Sequence, residues 1–324
     1  YRLVGSYTTN GGVSWSSEAL ISPAAVAGSN YFHQGADVKC GPNGEVYVVW
    51  TCADADISPF TEDSLGFAKS TNGGVSWTIA TNHAANVNGN RTFNMHNGIR
   101  VAGFPRIDVD RTCGPRAGWI YVVVGEKNPG VAGDISDIVL YRSSNGGTSW
   151  LPGVRVNQDP INNGKVQYFP AINVDEFGGI NVIYYDNRNI TSDSMDVYLS
   201  RSTDGGNSWN DFRINENRFL PKTVSGSGGS GNQGDNIGIT SAGKKLWPVW
   251  MDDHTGIYQI WTAPVNVDEL SVNQISQSIP EKFSLSQNYP NPFNPATNFE
   301  FGISEPGFVS VKVYNISGKE VAVL

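Results

Sequence analysis

One octapeptide occurs four times along this chain, and it constrains the fold more than any other feature. The copies are Thr8-Thr-Asn-Gly-Gly-Val-Ser-Trp15, Ser70-Thr-Asn-Gly-Gly-Val-Ser-Trp77, Ser143-Ser-Asn-Gly-Gly-Thr-Ser-Trp150 and Ser202-Thr-Asp-Gly-Gly-Asn-Ser-Trp209. They recur at intervals of about 60 to 70 residues, which suits a repeated supersecondary unit. We therefore expect one structural unit for each copy.

Each octapeptide has the composition of a tight β-turn. Asn or Asp followed by two glycines supplies the positive φ angles that such a turn needs, and the short polar side chains can hydrogen-bond nearby backbone groups. The Trp that ends each copy can pack its indole on a sheet. We predict a structural role for the octapeptides, carried by Asn10, Trp15, Asn72, Trp77, Asn145, Trp150, Asp204 and Trp209.

A longer unit surrounds each octapeptide. It begins with a short strand such as Pro105-Arg-Ile-Asp-Val109 and passes through a Gly-rich turn into an aromatic and β-branched strand such as Trp119-Ile-Tyr-Val-Val-Val124. A third strand such as Ile138-Val-Leu-Tyr-Arg142 leads into the octapeptide, and a fourth strand begins at its Trp. This order predicts an all-β β-propeller of four-stranded antiparallel blades.

The number of blades follows from counting these units. Residues 1–15 have the pattern of the last two strands of an incomplete N-terminal blade, and three full units follow. A further unit around Tyr258-Gln-Ile-Trp-Thr262 lacks the octapeptide. At least five blades are therefore represented, and we expect six in the full parent protein.

The octapeptides resemble the Asp-box, also called the bacterial neuraminidase repeat, whose pattern is Ser-x-Asp-x-Gly-x-Thr-Trp. Only Asp204 keeps the acid, while Asn10, Asn72 and Asn145 replace it in the other copies. Asn can hold the same turn. The resemblance implies a sialidase-like propeller in which the boxes are structural and lie away from any active site.

The pattern changes after about Val267. The segment Gln287-Asn-Tyr-Pro-Asn-Pro-Phe-Asn-Pro295, together with Val311-Lys-Val-Tyr-Asn-Ile-Ser-Gly-Lys319, resembles the C-terminal sorting domain of the bacterial type IX secretion system, without that family's final strands. We predict a propeller over residues 1–267, a linker over 268–282 and a partial small β-sandwich, the sorting domain, over 283–324.

This second resemblance also implies a location and a partner. It implies a secreted protein, or one at the outer cell surface, of a Gram-negative bacterium of the Bacteroidota or a related phylum, which the type IX secretion machinery recognises. A net charge of −8 argues against a nucleic-acid partner, because binding to phosphates relies on clustered Lys and Arg. No apolar run is long enough for a transmembrane helix.

Three cysteines are too few for a disulfide scaffold, and they have no zinc-binding spacing. The simplest interpretation is that all three are thiols. One bridge stays open at this point: Cys40 and Cys113 both fall near turns between first and second strands of neighbouring blades, so we expect them to approach each other. We expect no catalytic metal and no cofactor.

The topology predicts where a ligand would bind. In a four-stranded antiparallel blade, the octapeptide lies at one end, while the loops between second and third strands and the segments leading to first strands lie at the other. Polar residues concentrate in those segments, where they either contact a ligand or simply make turns. The candidates for the ligand face are Arg106, Tyr168, Asp186, Arg188, Asp235, Asp252 and His254.

One part of this region also has the composition of a cation site. Tyr184-Tyr-Asp-Asn-Arg188, with Asp193, Asp196 and neighbouring carbonyls, offers several oxygen ligands of the kind that calcium prefers. The spacing is not that of an EF-hand. A structural calcium ion and a plain polar loop are both compatible with these residues.

Two functions fit the sequence. The first is a propeller that binds extracellular glycans or other polymers without turnover, and the second is an exo-sialidase-like glycoside hydrolase or a polysaccharide lyase. The resemblance to sialidases would imply three arginines on a carboxylate, a Tyr/Glu pair and an Asp acid. Arg106 in Phe104-Pro-Arg-Ile-Asp108 does not have that family's Arg-Ile-Pro motif, and no spacing identifies the Tyr/Glu pair. We favour the first function and leave the catalytic residues unassigned.

Overall fold

The computed structural model describes residues 2–23, 31–54, 56, 60–80, 84–92, 94–127, 135–224, 231, 233–234, 236–271, 283–289, 291–292, 297–303, 310–315 and 317–323. The chain divides into two compact units, Tyr1–Leu270 and Ser271–Leu324. This boundary falls within the predicted linker, and the domain assignments stay predictions. Within the described ranges there is no α-helix, only one turn of 3₁₀ helix at Glu269–Ser271. None of the described helical segments could cross a membrane.

The first unit consists of antiparallel sheets that follow one another along the chain. A two-stranded hairpin opens it, formed by β1 (Val4–Gly5) and β2 (Ala19–Leu20). The first large sheet contains β3 (Tyr31–Cys40), β4 (Val46–Asp54) and β5 (Glu62–Ser70), with β6 (Thr78–Ile79) and β7 (Ala85–Asn86) both paired to β5. The second contains β8 (Arg106–Val109), β9 (Ile120–Glu126), β10 (Asp137–Ser143) and β11 (Leu151–Arg155).

Two more sheets complete this unit. The third large sheet contains β12 (Gln167–Val174), β13 (Ile180–Asp186), β14 (Asp196–Ser202) and β15 (Asn210–Arg213). The last contains β16 (Gly238–Ala242) and β17 (Lys245–Asp252), with β18 (Gln259–Thr262) and β19 (Val265–Asn266) both paired to β17. Each sheet starts with its innermost strand and proceeds outward, which is the strand order of a propeller blade.

The first strands of successive sheets are neighbours around a common axis. Carboxylates join them, because Asp37 of β3 accepts a hydrogen bond from the N–H of Ile107 in β8 (3.0 Å), and Asp108 of β8 accepts one from the N–H of Val174 in β12 (2.8 Å). Sheets that lie side by side around an axis form a propeller. The predicted all-β propeller with four-stranded antiparallel blades is therefore confirmed. The total of six blades and the C-terminal sandwich stay predictions.

Apolar side chains fill the spaces between successive sheets. Alternation along each second strand sends neighbouring side chains to opposite faces, so Tyr47 and Val49 of β4 pack towards the second sheet, while Val48 and Trp50 pack towards the N-terminal hairpin. Strands β9 and β13 are likewise buried on both faces. Strand β17 differs, because every second residue from Lys245 to Val249 is exposed.

The four octapeptides form the same turn. In the second copy, Ser70 Oγ accepts a hydrogen bond from the N–H of Gly74 (2.9 Å), and Asn72 Oδ1 accepts one from the N–H of Ser76 (3.0 Å). Both glycines have positive φ angles, 70° at Gly73 and 89° at Gly74. The other three copies repeat these contacts. Copies two to four connect the third strand of a large sheet to its outer edge, which confirms their predicted position, and the first copy connects β1 to β2.

The third and fourth turns also contact the sheet that precedes each of them. In the third copy, Trp150 lies edge-on to Phe67 of the first sheet, with ring centroids 5.2 Å apart. In the fourth copy, the carbonyl of Gly205 and the side chain of Asn207 both accept hydrogen bonds from Arg142 of the second sheet, each at 2.8 Å. The turns therefore hold neighbouring blades together, as well as reversing the chain.

The predicted approach of Cys40 and Cys113 does not produce a bridge. All three cysteines are free thiols, and those two are exposed. Cys113 lies in a loop that closes on itself, because Asp110 accepts hydrogen bonds from the N–H and the hydroxyl of Thr112 (2.9 and 2.6 Å) and its carbonyl accepts one from Gly118 (2.8 Å). Local turn chemistry fixes this loop without a cross-link.

The second unit contains two short hairpins in its described residues. The first pairs β20 (Ser284–Leu285) with β21 (Phe301–Gly302), and the second pairs β22 (Lys312–Tyr314) with β23 (Glu320–Val323). Lys312 and Glu320 form an ion pair at 2.9 Å across the second hairpin.

Candidate functional site

The first unit has two ends of different character. The octapeptide end carries the four octapeptide turns and the turns between first and second strands. The loop end carries the loops between second and third strands and the links between sheets, which in the described residues include 87–105 apart from residue 93, 156–166, and 214–224 with 236–237. Arg106 and Tyr168 lie in β8 and β12, next to two of these links, while Asp186 and Asp252 end β13 and β17 and are followed by Arg188 and His254. Asp235 lies outside the described residues.

Arg106 lies at the start of β8, beside the propeller axis. Its guanidinium donates hydrogen bonds to the side chain of Asn236 and to the carbonyl of Pro105 (3.3 Å for the second). The side chain is half-buried. Arg106 thus connects the second sheet to the segment that leads into β16, and it keeps an exposed part.

Tyr168 is completely buried, although the sequence places it among the ligand residues. A β-bulge between Tyr168 and Ala171, with Phe169 at a φ of 53°, turns this part of β12. The hydroxyl donates a hydrogen bond to Gln233 (3.0 Å), and the ring packs against Phe169 and Tyr185. Burial raises the pKa of Tyr168 well above its usual value, so it is a neutral packing residue here.

Asp186 and Arg188 form the centre of a buried ionic network. The Nε of Arg188 donates to Asp186 at 2.7 Å, its Nη2 donates to the hydroxyl of Tyr184 at 2.9 Å, and its Nη1 pairs with Asp211. The guanidinium also lies 4.2 Å from the centre of the Tyr198 ring. Because every side of the guanidinium is occupied and the side chain is only 8% exposed, the network stabilises the blade rather than presenting a cation.

Asp252 and His254 form the most accessible polar pair among the predicted residues. Asp252 accepts a hydrogen bond from the indole N–H of Trp250 (2.8 Å), and its other oxygen lies 2.6 Å from Nδ1 of His254. The imidazole also packs on Trp261, with ring centroids 4.4 Å apart. A carboxylate on Nδ1 orients a histidine and fixes its tautomer. His254, which is partly exposed, can therefore offer Nε2 to a ligand.

A buried glutamate that the sequence analysis missed organises the loop end. Glu62, at the start of β5, accepts hydrogen bonds from the N–H groups of Gly103 (2.8 Å) and Arg91 (3.1 Å). Burial raises the pKa of Glu62, and these backbone hydrogen bonds only partly offset the rise. The carboxylate thus ties together the two arms of the link 87–105. Its position at the start of β5, next to Asp63 and a polar loop, did not predict this role.

The link 87–105 crosses the loop end. His96 Nε2 lies 2.8 Å from the carbonyl of Asp193 in the third sheet, and Asn97 donates to the carbonyl of Pro221 at 2.6 Å. Met95 and Ile99 are buried in the same apolar cluster as Tyr168, Met195 and Phe219. The link therefore covers the part of the face under which Tyr168 lies.

Six of the twelve arginines form ion pairs in the described residues. Those paired with aspartates are Arg111, Arg155, Arg188, Arg201, Arg213 and Arg218. Arg142 is bound to the fourth octapeptide turn, and Arg116 donates to the carbonyl of Thr203 in the same turn (2.9 Å). The largely buried members Arg155, Arg188 and Arg201 are not available as a clamp for a ligand carboxylate, whereas Arg111 and Arg218 keep about half of their side chains exposed.

Two of the carboxylates considered for calcium are also paired with arginines. Asp186 is bound by Arg188, and Asp196 accepts hydrogen bonds from Arg218 and Asn215, each at 3.1 Å. In the described ranges no three acidic, His or Cys side chains are grouped as metal ligands. Asp186 and Asp196 therefore act as ion-pair partners.

No protein-family model matches the chain, and no curated protein matches it. Among solved structures, a protein of unknown function from Dyadobacter fermentans superposes with a TM-score of 0.51 at 14% identity, over 82% of this chain and 68% of that one. A Hadza microbial sialidase superposes with a TM-score of 0.46 at 14% identity, over 71% of this chain and 44% of that one. A Penicillium chrysogenum α-L-arabinanase complexed with arabinobiose gives 0.47 at 16% identity, over 72% and 68%. At this identity, the likeness to the first of these concerns the fold alone.

Proposed function

We propose that the chain is the propeller part of a secreted or cell-surface protein that binds extracellular glycans without turning them over. The observation that carries the proposal is the covering of the loop end. Catalysis requires a concave pocket in which reacting groups converge on the substrate. Here the link 87–105 covers Tyr168, and Arg188 is paired with Asp186 and Asp211. Neither side chain therefore faces a substrate pocket.

The polar side chains of the loop end that keep an exposed part, Arg106 and His254, support a glycan as the ligand. The ring of polar and aromatic groups around an axis suits hydroxyl-rich ligands. We propose that the chain belongs to the sialidase-like propellers.

The experiment measures binding and turnover on the same protein. We expect the chain to bind an extracellular polysaccharide in calorimetry, and to release neither sialic acid from sialyllactose nor reducing sugar from arabinan or polygalacturonate. Arg106→Ala and His254→Ala are the diagnostic variants, because these two side chains keep an exposed part. Turnover that disappears in either variant would replace the proposal with a hydrolase or lyase acting at the loop end.

We further propose that the octapeptides are Asp-boxes. The paired bonds from the first hydroxyl to the second glycine, and from the Asn or Asp to the later Ser, support this assignment. Loss of the turn in Asn72→Leu, with the turn kept in Asn72→Asp, is the expected result, as judged by thermal unfolding. Equal unfolding temperatures for the two variants would contradict it.

We also propose that residues 283–324 belong to a type IX sorting domain. The motifs Gln287–Pro295 and Val311–Lys319 support it. In a Bacteroidota host, deletion of residues 283–324 should retain the protein inside the cell, while the undeleted protein appears in the medium or on the surface. Export that is indifferent to the deletion would contradict the proposal.

A further inference from the structure

A groove runs along the outside of the propeller between the first and second large sheets. Its volume is about 710 Å³, and the walls come from the third strand and outer edge of the first sheet and from the third octapeptide turn. The lining includes Phe67, Lys69, Thr71, Thr78, Ser149 and Trp150. A second recess of about 360 Å³ continues past Trp150 and Ala84 towards Pro152. Trp150 therefore lies where the two recesses join.

The groove has a structural cause in the first sheet. The outer edge of this sheet is paired to β5 in two separate pieces, β6 beside Lys69 and β7 beside Leu65. In the second and third sheets, the outer strands β11 and β15 are each continuous. The equivalent tryptophan of the third sheet, Trp209, packs against the second sheet and is only 7% exposed. Trp150, beside the interrupted edge, keeps part of its indole open.

The groups in the groove match the chemistry of an acidic sugar. An indole ring accepts the C–H face of a pyranose, and hydroxyls such as those of Thr71, Thr78 and Ser149 can both donate and accept hydrogen bonds. Lys69 supplies a positive charge in a chain whose net charge is −8. Its ammonium lies 5.6 Å from the centre of the Tyr47 ring, which holds the side chain in place.

We propose that this groove binds an extended oligosaccharide that carries a carboxylate, with one sugar stacked on Trp150 and the carboxylate near Lys69. The inference rests on the proposed glycan-binding function, which it deepens by naming the place and the ligand class. It moves the binding surface from the loop end to the outer side of the propeller, beside an octapeptide turn.

The test is calorimetry of the full chain with four probes. Tetragalacturonate and 3′-sialyllactose provide the two natural sources of a sugar carboxylate, and maltotetraose and lactose are their neutral counterparts. We expect an acidic probe to bind, and Trp150→Ala to weaken it by about tenfold or more, as removal of a central aromatic contact does. Trp15→Ala is the matched control, because Trp15 ends the first octapeptide at a position that is 63% exposed.

A second pair of variants avoids the packing role of Trp150. Thr71 is exposed at the groove wall, so Thr71→Glu should fold normally while repelling a carboxylate, and the neutral Thr71→Gln should weaken binding of an acidic probe much less than Thr71→Glu does. If Trp150→Ala and Thr71→Glu both bind an acidic probe with wild-type affinity, the groove is not the binding site, while the proposed glycan-binding function stands. Preference for the neutral probes would overturn the ligand class. If the wild type binds none of these probes or any other extracellular polysaccharide, the proposed function fails as well.

Discussion

The octapeptide end and the loop end of the propeller are built on different principles. At the octapeptide end, each turn is held by hydrogen bonds that span at most four residues, such as those within Ser143–Ser149. At the loop end, the contacts join residues far apart in sequence, such as His96 with Asp193 and Glu62 with Gly103. The contacts of the octapeptide end recur from sheet to sheet, while those of the loop end differ from one sheet to the next.

The electrostatics of the two ends differ in the same way. The buried carboxylates Glu62 and Glu126 at the loop end have raised pKa values because burial penalises their charged forms. Asp204, in the fourth octapeptide turn, has a lowered pKa, because hydrogen bonds to its carboxylate outweigh its slight burial. Local hydrogen bonds therefore favour the charged form of Asp204 in the fourth turn, whereas burial disfavours the charged forms of Glu62 and Glu126 at the loop end.

The largest expected effect lies at the loop end. Arg188→Met leaves Asp186 and Asp211 buried without their cation, which should lower the free energy of unfolding by about 3–5 kcal/mol. Chemical denaturation measures it. Lys244→Met is the control, because it breaks an exposed pair with Asp268 (2.8 Å) and should cost less than about 1 kcal/mol. Equal losses in the free energy of unfolding would show that the buried loop-end network contributes no more to stability than an exposed ion pair.

The next effect tests the contact between a turn and the preceding sheet. Gly147 has a φ of 84°, and a Cβ there would meet Phe67 at 2.1 Å, whereas Gly12, at the same position of the first turn, has a φ of 89° and open space around it. Both alanine variants pay about 1 kcal/mol for the backbone conformation. Gly147→Ala should cost about 1–3 kcal/mol more because it overpacks the interface. Similar unfolding midpoints in urea would mean that the third turn does not press on the first sheet.

The same difference explains what the sequence could predict. The turns, their place between the last two strands and the alternating burial of strands such as β4 depend on nearby residues, so their patterns are visible in the chain. The burial of Tyr168 depends on Met95 and Ile99, which lie about 70 residues away. No spacing within a single sequence encodes that contact. The sequence therefore could not predict that Tyr168 is buried, and the assignment of the other residues to a ligand face stays a prediction.

The sequence did not predict the divided outer edge of the first sheet either. Residues 78–86 follow Trp77 as the outer strands of the other sheets follow Trp150 and Trp209, and the sequence predicts a fourth strand in each case. Among the described residues of this segment, 78–79 and 85–86 form the short strands β6 and β7. Strand continuity depends on how each residue meets the neighbouring sheet, and this is a tertiary effect that overrides local propensity.

A smaller expected effect is the pH dependence of stability at the loop end, which comes from Glu62. Because the folded-state pKa of Glu62 is raised, its contribution to stability is fully present below about 4.5 and is lost as the pH rises through the higher folded value. Glu62→Gln imitates the protonated form. The amide NH2 cannot accept the backbone N–H that the second carboxylate oxygen accepts, so the variant should be less stable than the wild type near pH 4, and this deficit should shrink by about 1 kcal/mol near pH 8. Urea unfolding at the two pH values measures the difference, and a relative loss of stability at pH 8 would reverse the assigned sign.

The smallest effect concerns Asp204, the one acid among the four turns. Slight burial raises its pKa, but hydrogen bonds from the hydroxyl and N–H of Ser208, from Ser202 and from the N–H of Asn207 lower it to about 2. Its contribution is therefore present above about 3.8 and lost as the pH falls through 2. The side chain is exposed, so solvent screening should keep this contribution below about 1 kcal/mol.

Asp204→Asn tests whether the turn needs this charge. In the third turn, Asn145 donates to Ser149 Oγ at 2.9 Å and still accepts the N–H of Ser149, so the substituted amide should adopt the same arrangement with Ser208. We expect a nearly unchanged unfolding temperature at pH 7 and a smaller loss of stability between pH 4 and pH 2. A loss above about 2 kcal/mol at pH 7 would mean that the carboxylate, rather than the hydrogen-bond geometry that all four turns share, holds this one together. The fourth turn would then be held together differently from the other three, and the octapeptide end would not be a repeated structure throughout.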